Sequence, residues 1–173
     1  MDFSKISDDF AREIVREGEA YLGGQLQIAT SADQRAAVMA SVFTAAGAAL
    51  AAGVITIASS KDGIGSFPVF FGGTIASLLF LAGASCCVKA TMPCDFWPPG
   101  SEPGNWNTEI VSGANLKDAF GEQSSHIQDK IDENSRVLSR NAGWFKWGAR
   151  LGIAAPFFGI LSWLLFTACR FIH

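Results

Sequence analysis

The chain has 173 residues, 49% of them hydrophobic, with a formal net charge of −3 and a mean hydropathy of +0.26. A soluble domain would spread its apolar residues at a helical or strand period, but here they gather in three blocks, 36–58, 67–88 and 151–168. Sixteen acids against 13 Lys and Arg, with no basic patch clear of neighbouring acids, exclude nucleic acid as a ligand.

Residues 1–35 come first. Phe3, Ile6, Phe10, Ile14 and Tyr21 form one stripe, with Val15, Leu22 and Leu26 beside it. Acids and arginines fill the opposite side, which predicts an amphipathic helix over 3–34. Gly23-Gly24 weaken it. The segment lacks the continuous apolar run of a secretory signal, so the first span is expected to act as its own insertion signal.

The hairpin 36–88 follows. Its first block, 36–58, carries no charge and has the length of about 17–25 residues that crosses a hydrocarbon core. Its side chains are small. Ala36, Ala40, Thr44, Ala48 and Ala52 recur every four residues, and Ala45, Ala49 and Gly53 form a second stripe. Helices in lipid associate by close van der Waals packing, which favours such residues. The expectation is a homo-oligomer with this span central. Ala40, Ser41, Thr44, Ala48, Ala52 and Thr56 would form the interface or line a narrow, nearly neutral pore. Alanine-rich composition without a packing role is the other reading. The Gly-rich stretch 59–66 and Pro68 predict a tight turn into the second apolar block, giving an antiparallel pair.

Segment 89–114 holds "TMPCDFWPPGSEPGNWNTE", too rich in Pro and Gly for regular structure. Phe96, Trp97 and Trp106 need cover, so an ordered loop is expected. Two readings fit these aromatics: a membrane-interface belt, or a pocket or partner contact. Cys86, Cys87 and Cys94 show no metal or redox spacing; packing or juxtamembrane lipidation suits them.

Residues 115–149 return to a helical period. A heptad fits, with Ser124, Ile131, Leu138 and Phe145 at one seam position and Phe120, Ile127, Asn134 and Asn141 at the other. The asparagines would fix register. A coiled coil or a globular packing face accounts for the pattern, and the N-terminal helix is the expected partner. The last segment, 150–173, is a third span with a short tail. Trp144 and Trp147 flank Lys146 at its start as interfacial anchors would, and Pro156 is expected to kink it, as structure or as a gating hinge.

Four Lys and Arg precede the first block and seven lie between the second and third, so 11 of the 13 share one side. The positive-inside rule then places the N-terminus and segment 89–149 in the cytoplasm of a bacterial inner-membrane protein, with the C-terminus outside. No span carries an internal charge, which speaks against a proton relay, voltage sensor or coupled transporter. No phosphate loop, dinucleotide fingerprint or zinc-protease helix occurs. His126 sits among Ser124, Ser125 and Asp129 on one predicted helix, where neighbouring residues point to different faces, so no triad follows. No catalytic residue, metal ligand or cofactor is expected, and the chain does not read as an enzyme.

The expected fold is therefore all-α: three transmembrane helices, a hairpin plus a C-terminal span, with cytoplasmic amphipathic extensions. In layout, the hairpin 36–88 and the helix 115–143 resemble small bacterial membrane effectors of antiphage systems, the SLATT-like hairpin type. The third span departs from that two-helix pattern. The resemblance implies oligomerisation and permeabilisation of the inner membrane in antiviral defence. The leading expectation is a homo-oligomer that conducts across or perturbs the membrane, gated from its cytoplasmic helices. The alternatives are a non-conducting anchor or accessory subunit that docks a cytoplasmic protein, and a sensor whose Pro/Trp loop binds a small ligand. Membrane lipid is the common partner.

Overall fold

The computed structural model describes residues 6–59, 67–113 and 115–172, and it is all-helical. Helix α1 spans Asp8–Ser59, α2 Phe67–Ala90, α3 Asn107–Ser112 and α4 Leu116–Ile172, and a 3₁₀ turn over Pro103–Trp106 leads into α3. Phe3, the turn expected between the first two spans (from residue 60) and His173 lie outside the described residues.

The helix ends follow local chemistry. Ser7 Oγ accepts the N–H of Phe10 at 3.2 Å, and Asp8 and Asp9 place negative charge in the first turn of α1, beside its unpaired N–H groups. Gly113 takes a φ of 63°, the left-handed conformation that ends α3 at little cost for glycine. Asn115 Oδ1 then accepts the N–H of Lys117 at 3.1 Å and starts α4. Lys89 lies in the last turn of α2, where the carbonyl ends favour a cation.

The chain divides into two compact units, and α1 and α4 each contribute to both. Unit one comprises residues 1–31 and 93–139; unit two comprises 32–92 and 140–173.

In unit one, Ala11, Leu22 and Gln25 of α1 are buried, as are Ala119, Ser124, Ile127 and Asn134 of α4. The buried line of α1 is shifted from the expected stripe. Phe10 and Tyr21, assigned to that stripe, are 56% and 58% exposed. Gly18 explains the shift. A Cβ there would stand 2.7 Å from Ile127 Cγ2, so the missing side chain makes room for Ile127. Dispersion favours the line that allows the closest approach over the line with the largest side chains.

Unit two contains residues 32–59 of α1, all of α2 and residues 140–172 of α4. Its core joins Ala40, Phe43, Ala84 and Cys87, with Met39, Phe80 and Phe145 packed against them. A Cβ on Gly47 would touch Leu81 and Phe80, one on Gly73 would touch Val54, and one on Gly83 would meet the Phe43 ring. The rising partner numbers against falling ones show that α1 and α2 run antiparallel. Helices α1, α2 and α4 are each long and apolar enough to cross a membrane. Only 17%, 28% and 11% of the residues in their most apolar stretches are buried, so most of that apolar surface faces outward.

Candidate functional site

The expected interface of the first span divides in two. Ala40 is buried in the core of unit two, whereas Ser41, Thr44, Ala48, Ala52 and Thr56 are all exposed. Two of the exposed hydroxyls are engaged within the helix. Ser41 Oγ donates to the carbonyl of Ala37 at 3.0 Å and Thr56 Oγ1 to that of Ala52 at 2.9 Å. A hydroxyl bonded back to its own helix can face an apolar medium without an unmet proton.

The tightest approach in unit two lies elsewhere, between α2 and α4. A Cβ on Gly72 would stand 2.6 Å from the carbonyl oxygen of Gly159. One on Gly83 would stand 2.9 Å from that of Gly148 and 3.2 Å from the nitrogen of Gly152. One on Gly148 would meet Cys87 Sγ at 2.6 Å. These helices touch backbone to backbone, and the pairing of Gly72 with Gly159 and Gly83 with Gly148 makes them antiparallel. Gly152 also leaves the space that the Phe43 ring of α1 fills. The small residues of the third span were not among the expected contacts. Gly148, Gly152 and Gly159 recur at helical spacing, and that pattern was the available signal. Between α2 and α1, buried Ser77 Oγ donates to the carbonyl of Gly47 at 2.8 Å.

Trp144 and Trp147, the expected interfacial anchors, each lie beside a cation. Lys89 Nζ lies 4.1 Å from the centre of a Trp144 ring, and the Arg150 guanidinium carbon lies 5.4 Å from that of Trp147. Both distances are within cation–π range. Pro156 lies inside α4, is exposed, and borders an apolar groove of about 440 Å³ with Leu50, Val69 and Trp163.

In unit one the loop is anchored to α4. Asn134 is fully buried; its Oδ1 accepts the N–H of Trp97 at 2.9 Å and its Nδ2 donates to the carbonyl of Trp97 at 3.0 Å. A side-chain amide has the donor and acceptor that one backbone residue requires. Trp97 Nε1 donates to Glu133 Oε2 at 2.6 Å. The N–H of Gly100, at a φ of 96°, donates to Glu19 of α1. Trp106 meets the ring of Phe120 edge-on, with centroids 6.2 Å apart, and Phe96 is half-buried.

The expected seam residues fall as follows. Ile127 and Asn134 are buried, while Phe120, Ile131, Leu138 and Asn141 are half-buried. Asn134 faces the loop backbone instead of a register partner on α1. That role on α1 falls to Gln25, buried, whose Nε2 donates to the carbonyl of Ile131 at 3.2 Å and to Ser135 Oγ at 2.9 Å. Gln25 carries little signal in the sequence beyond a lone amide on an apolar line.

At the exposed start of α1, Arg16 hydrogen-bonds Glu13 through both guanidinium nitrogens that face it. That bond, with the nearby positive charge, holds the Glu13 carboxyl below its ordinary value and the Arg16 guanidinium above its own.

No protein-family model, no curated protein and no solved structure matches the chain.

Proposed function

We propose that this chain is a multi-pass protein of the bacterial inner membrane, with its N-terminus cytoplasmic and its C-terminus outside. Copies assemble through α1, and the assembly conducts across or perturbs the membrane. The observation that supports this reading is the division of small residues. Glycines of α2 and α4 meet inside the chain, while Ser41, Thr44, Ala48, Ala52 and Thr56 of α1 remain exposed. In lipid such a face gains most from another close backbone, and a second copy supplies one. A ring closed on α1 would present methyl groups and back-bonded hydroxyls to its axis, a lining that wets poorly and conducts only when widened. The layout shared with SLATT-like effectors suggests defence as the setting.

The test is the subunit count by native mass spectrometry from nanodiscs, paired with dye and ion leak from liposomes. A closed ring of about four or more copies with leak supports the reading. Ala48→Leu and Ala52→Leu should lower the subunit number without unfolding the monomer, because both positions are exposed. An unchanged subunit number in both variants defeats the α1 interface.

A second reading is a non-conducting anchor that docks a soluble protein. It draws on unit one, where Phe10, Tyr21 and Ile28 of α1 are each more than half exposed. It expects a monomer, no leak, and loss of a purified partner's binding when Phe10 and Tyr21 are changed to Ser.

A further inference from the structure

Charge changes sign along α4. From Leu116 to Glu133 the helix carries five Asp or Glu against two Lys, and from Asn134 to its end it carries no acid. Counted along the chain, neighbouring acids offset the cations that follow. Counted within unit two they do not: Asp33 is the one Asp or Glu among its described residues, against Arg35, Lys89, Arg140, Lys146 and Arg150.

Three of these cations fall at one level. Lys146 and Arg150, both exposed, stand four residues apart and share one face of α4, a spacing at which like charges repel. Cys87 of α2 lies against Gly148, midway between them. Lys89 follows Cys87 by two residues, and its Nζ sits 4.1 Å from the Trp144 ring centre. At 1.5 Å per residue the three cations occupy a band about 6 Å high. Asp33 lies outside it, seven residues before Ala40, which shares a core with Cys87. In α1, by contrast, Arg12 and Arg16 each face an acid one turn earlier.

Trp144 and Trp147 do not remove the imbalance. An indole face attracts a cation but carries no net charge. The band therefore presents three positive charges and two indoles beside the apolar run that begins at Leu151. A matching partner brings negative charge at one height and hydrocarbon next to it. A phospholipid phosphate with its acyl chains has that form, and tryptophans favour the depth of the headgroups. In phosphatidylcholine the choline cation cancels the phosphate; in phosphatidylglycerol nothing does. The whole chain carries −3, so overall charge repels an anionic lipid and a preference for one must come from a local surface.

We propose that Lys89, Lys146 and Arg150 bind the phosphates of anionic phospholipids, with Lys146 and Arg150 gripping one from their shared helix face. The indoles of Trp144 and Trp147 rest at the glycerol level. A bound phosphate relieves the repulsion between Lys146 and Arg150 and holds unit two at a fixed depth. This surface rests on the membrane reading of the proposed function and adds to it a choice of lipid.

Lipid retention tests this. Equimolar phosphatidylglycerol and phosphatidylcholine with the same acyl chains are added to the full chain in neutral detergent, and native mass spectrometry counts the lipids kept. Phosphatidylglycerol should be retained about tenfold better. The double variant Lys146→Gln, Arg150→Gln should bring the ratio close to one with the helical circular dichroism unchanged. Arg12→Gln with Arg16→Gln removes the same charge from unit one and should leave the ratio as it was. Excess inorganic phosphate, which lacks acyl chains, should not displace the lipid. The proposal is overturned by equal retention of the two lipids in the unmodified protein, a comparison that stands even if a variant fails to fold. It is also overturned by a ratio that Lys146→Gln, Arg150→Gln leaves unchanged, by equal loss in both double variants, or by displacement with inorganic phosphate. Flotation with phosphatidylcholine vesicles checks the membrane reading separately. A chain that floats without lipid preference defeats this surface alone, and one that does not float defeats both.

Discussion

In unit one, a buried asparagine grips the backbone of Trp97 through two hydrogen bonds, and a buried glutamine bonds across from α1 to α4. In unit two, Gly72 and Gly83 of α2 lie against the backbone of α4, and buried Ser77 of α2 bonds the carbonyl of Gly47 on α1. The same two long helices, α1 and α4, thus change their mode of packing along their length. Polar clips suit a region that keeps a polar outer surface and must order an irregular loop. Close backbone contact suits a region whose outward face is apolar: were that face in lipid, burial would bring little hydrophobic gain and contact distance would decide the energy. The two units therefore fail differently, and each failure mode can be provoked separately.

The largest effect is expected in unit two. Gly83→Leu would drive side-chain atoms into the backbone of Gly148 and Gly152, neither of which can rotate away. A loss of about 3 kcal/mol or more should appear as collapse of the thermal transition in detergent. A well-folded Gly83→Leu protein would break the claim that backbone contact holds this unit.

Next is Asn134→Leu in unit one, which strands the N–H and the carbonyl of Trp97. About 2–4 kcal/mol should be lost, seen as faster hydrogen exchange at residues 96–100. Exchange within α2 should stay unchanged, and if it quickens equally the two units are not separable in stability.

A smaller effect sharpens the α1 seam. Gly18→Ala should cost about 1–2 kcal/mol, since its Cβ would press on Ile127 Cγ2 at 2.7 Å. Combining it with Ile127→Ala should recover about 1 kcal/mol relative to additivity in a double-mutant cycle. Strict additivity would show that the contact does not set the approach.

The smallest effect concerns charge. Because the Glu13 carboxyl is held low in the folded chain, its contribution is present above the ordinary carboxylate range and fades as pH falls through the lowered value. The pair lies at the surface, so Arg16→Ala should move the Glu13 titration upward by NMR and leave the thermal midpoint where it was. A clear drop in that midpoint would mean that surface charge contributes more to unit one than its buried amides allow.

Much of this was legible in the chain. The apolar blocks 36–58, 67–88 and 151–168 fall inside α1, α2 and α4, because uninterrupted apolar length needs no partner to be read. No proline separates the N-terminal segment from the first span, and α1 runs unbroken through both. The loop's need for cover followed from Trp97 and Trp106, but its anchor did not. Asn134 looked like a polar residue in a helical seam, and nothing local shows that its amide lies opposite the backbone of a residue 37 positions away. Likewise the small residues of α1 and those of α2 and α4 look alike in composition. Only their contacts separate Ala40, covered by its own chain, from Ala48 and Ala52, left open.

The sequence by itself determined the long helical segments, the three stretches apolar enough to cross a membrane, and the Pro-rich loop that interrupts them, but not the short helix Asn107–Ser112 inside a segment read as irregular. Those properties depend on side chains close in the chain and on their periodicity. Tertiary structure alone decided which small faces meet, that Gly18 rather than Phe10 defines the seam of α1, and that one buried amide holds the loop. A periodic pattern defines a face, and a face acquires a partner only when distant backbones approach closely enough for a missing Cβ to matter.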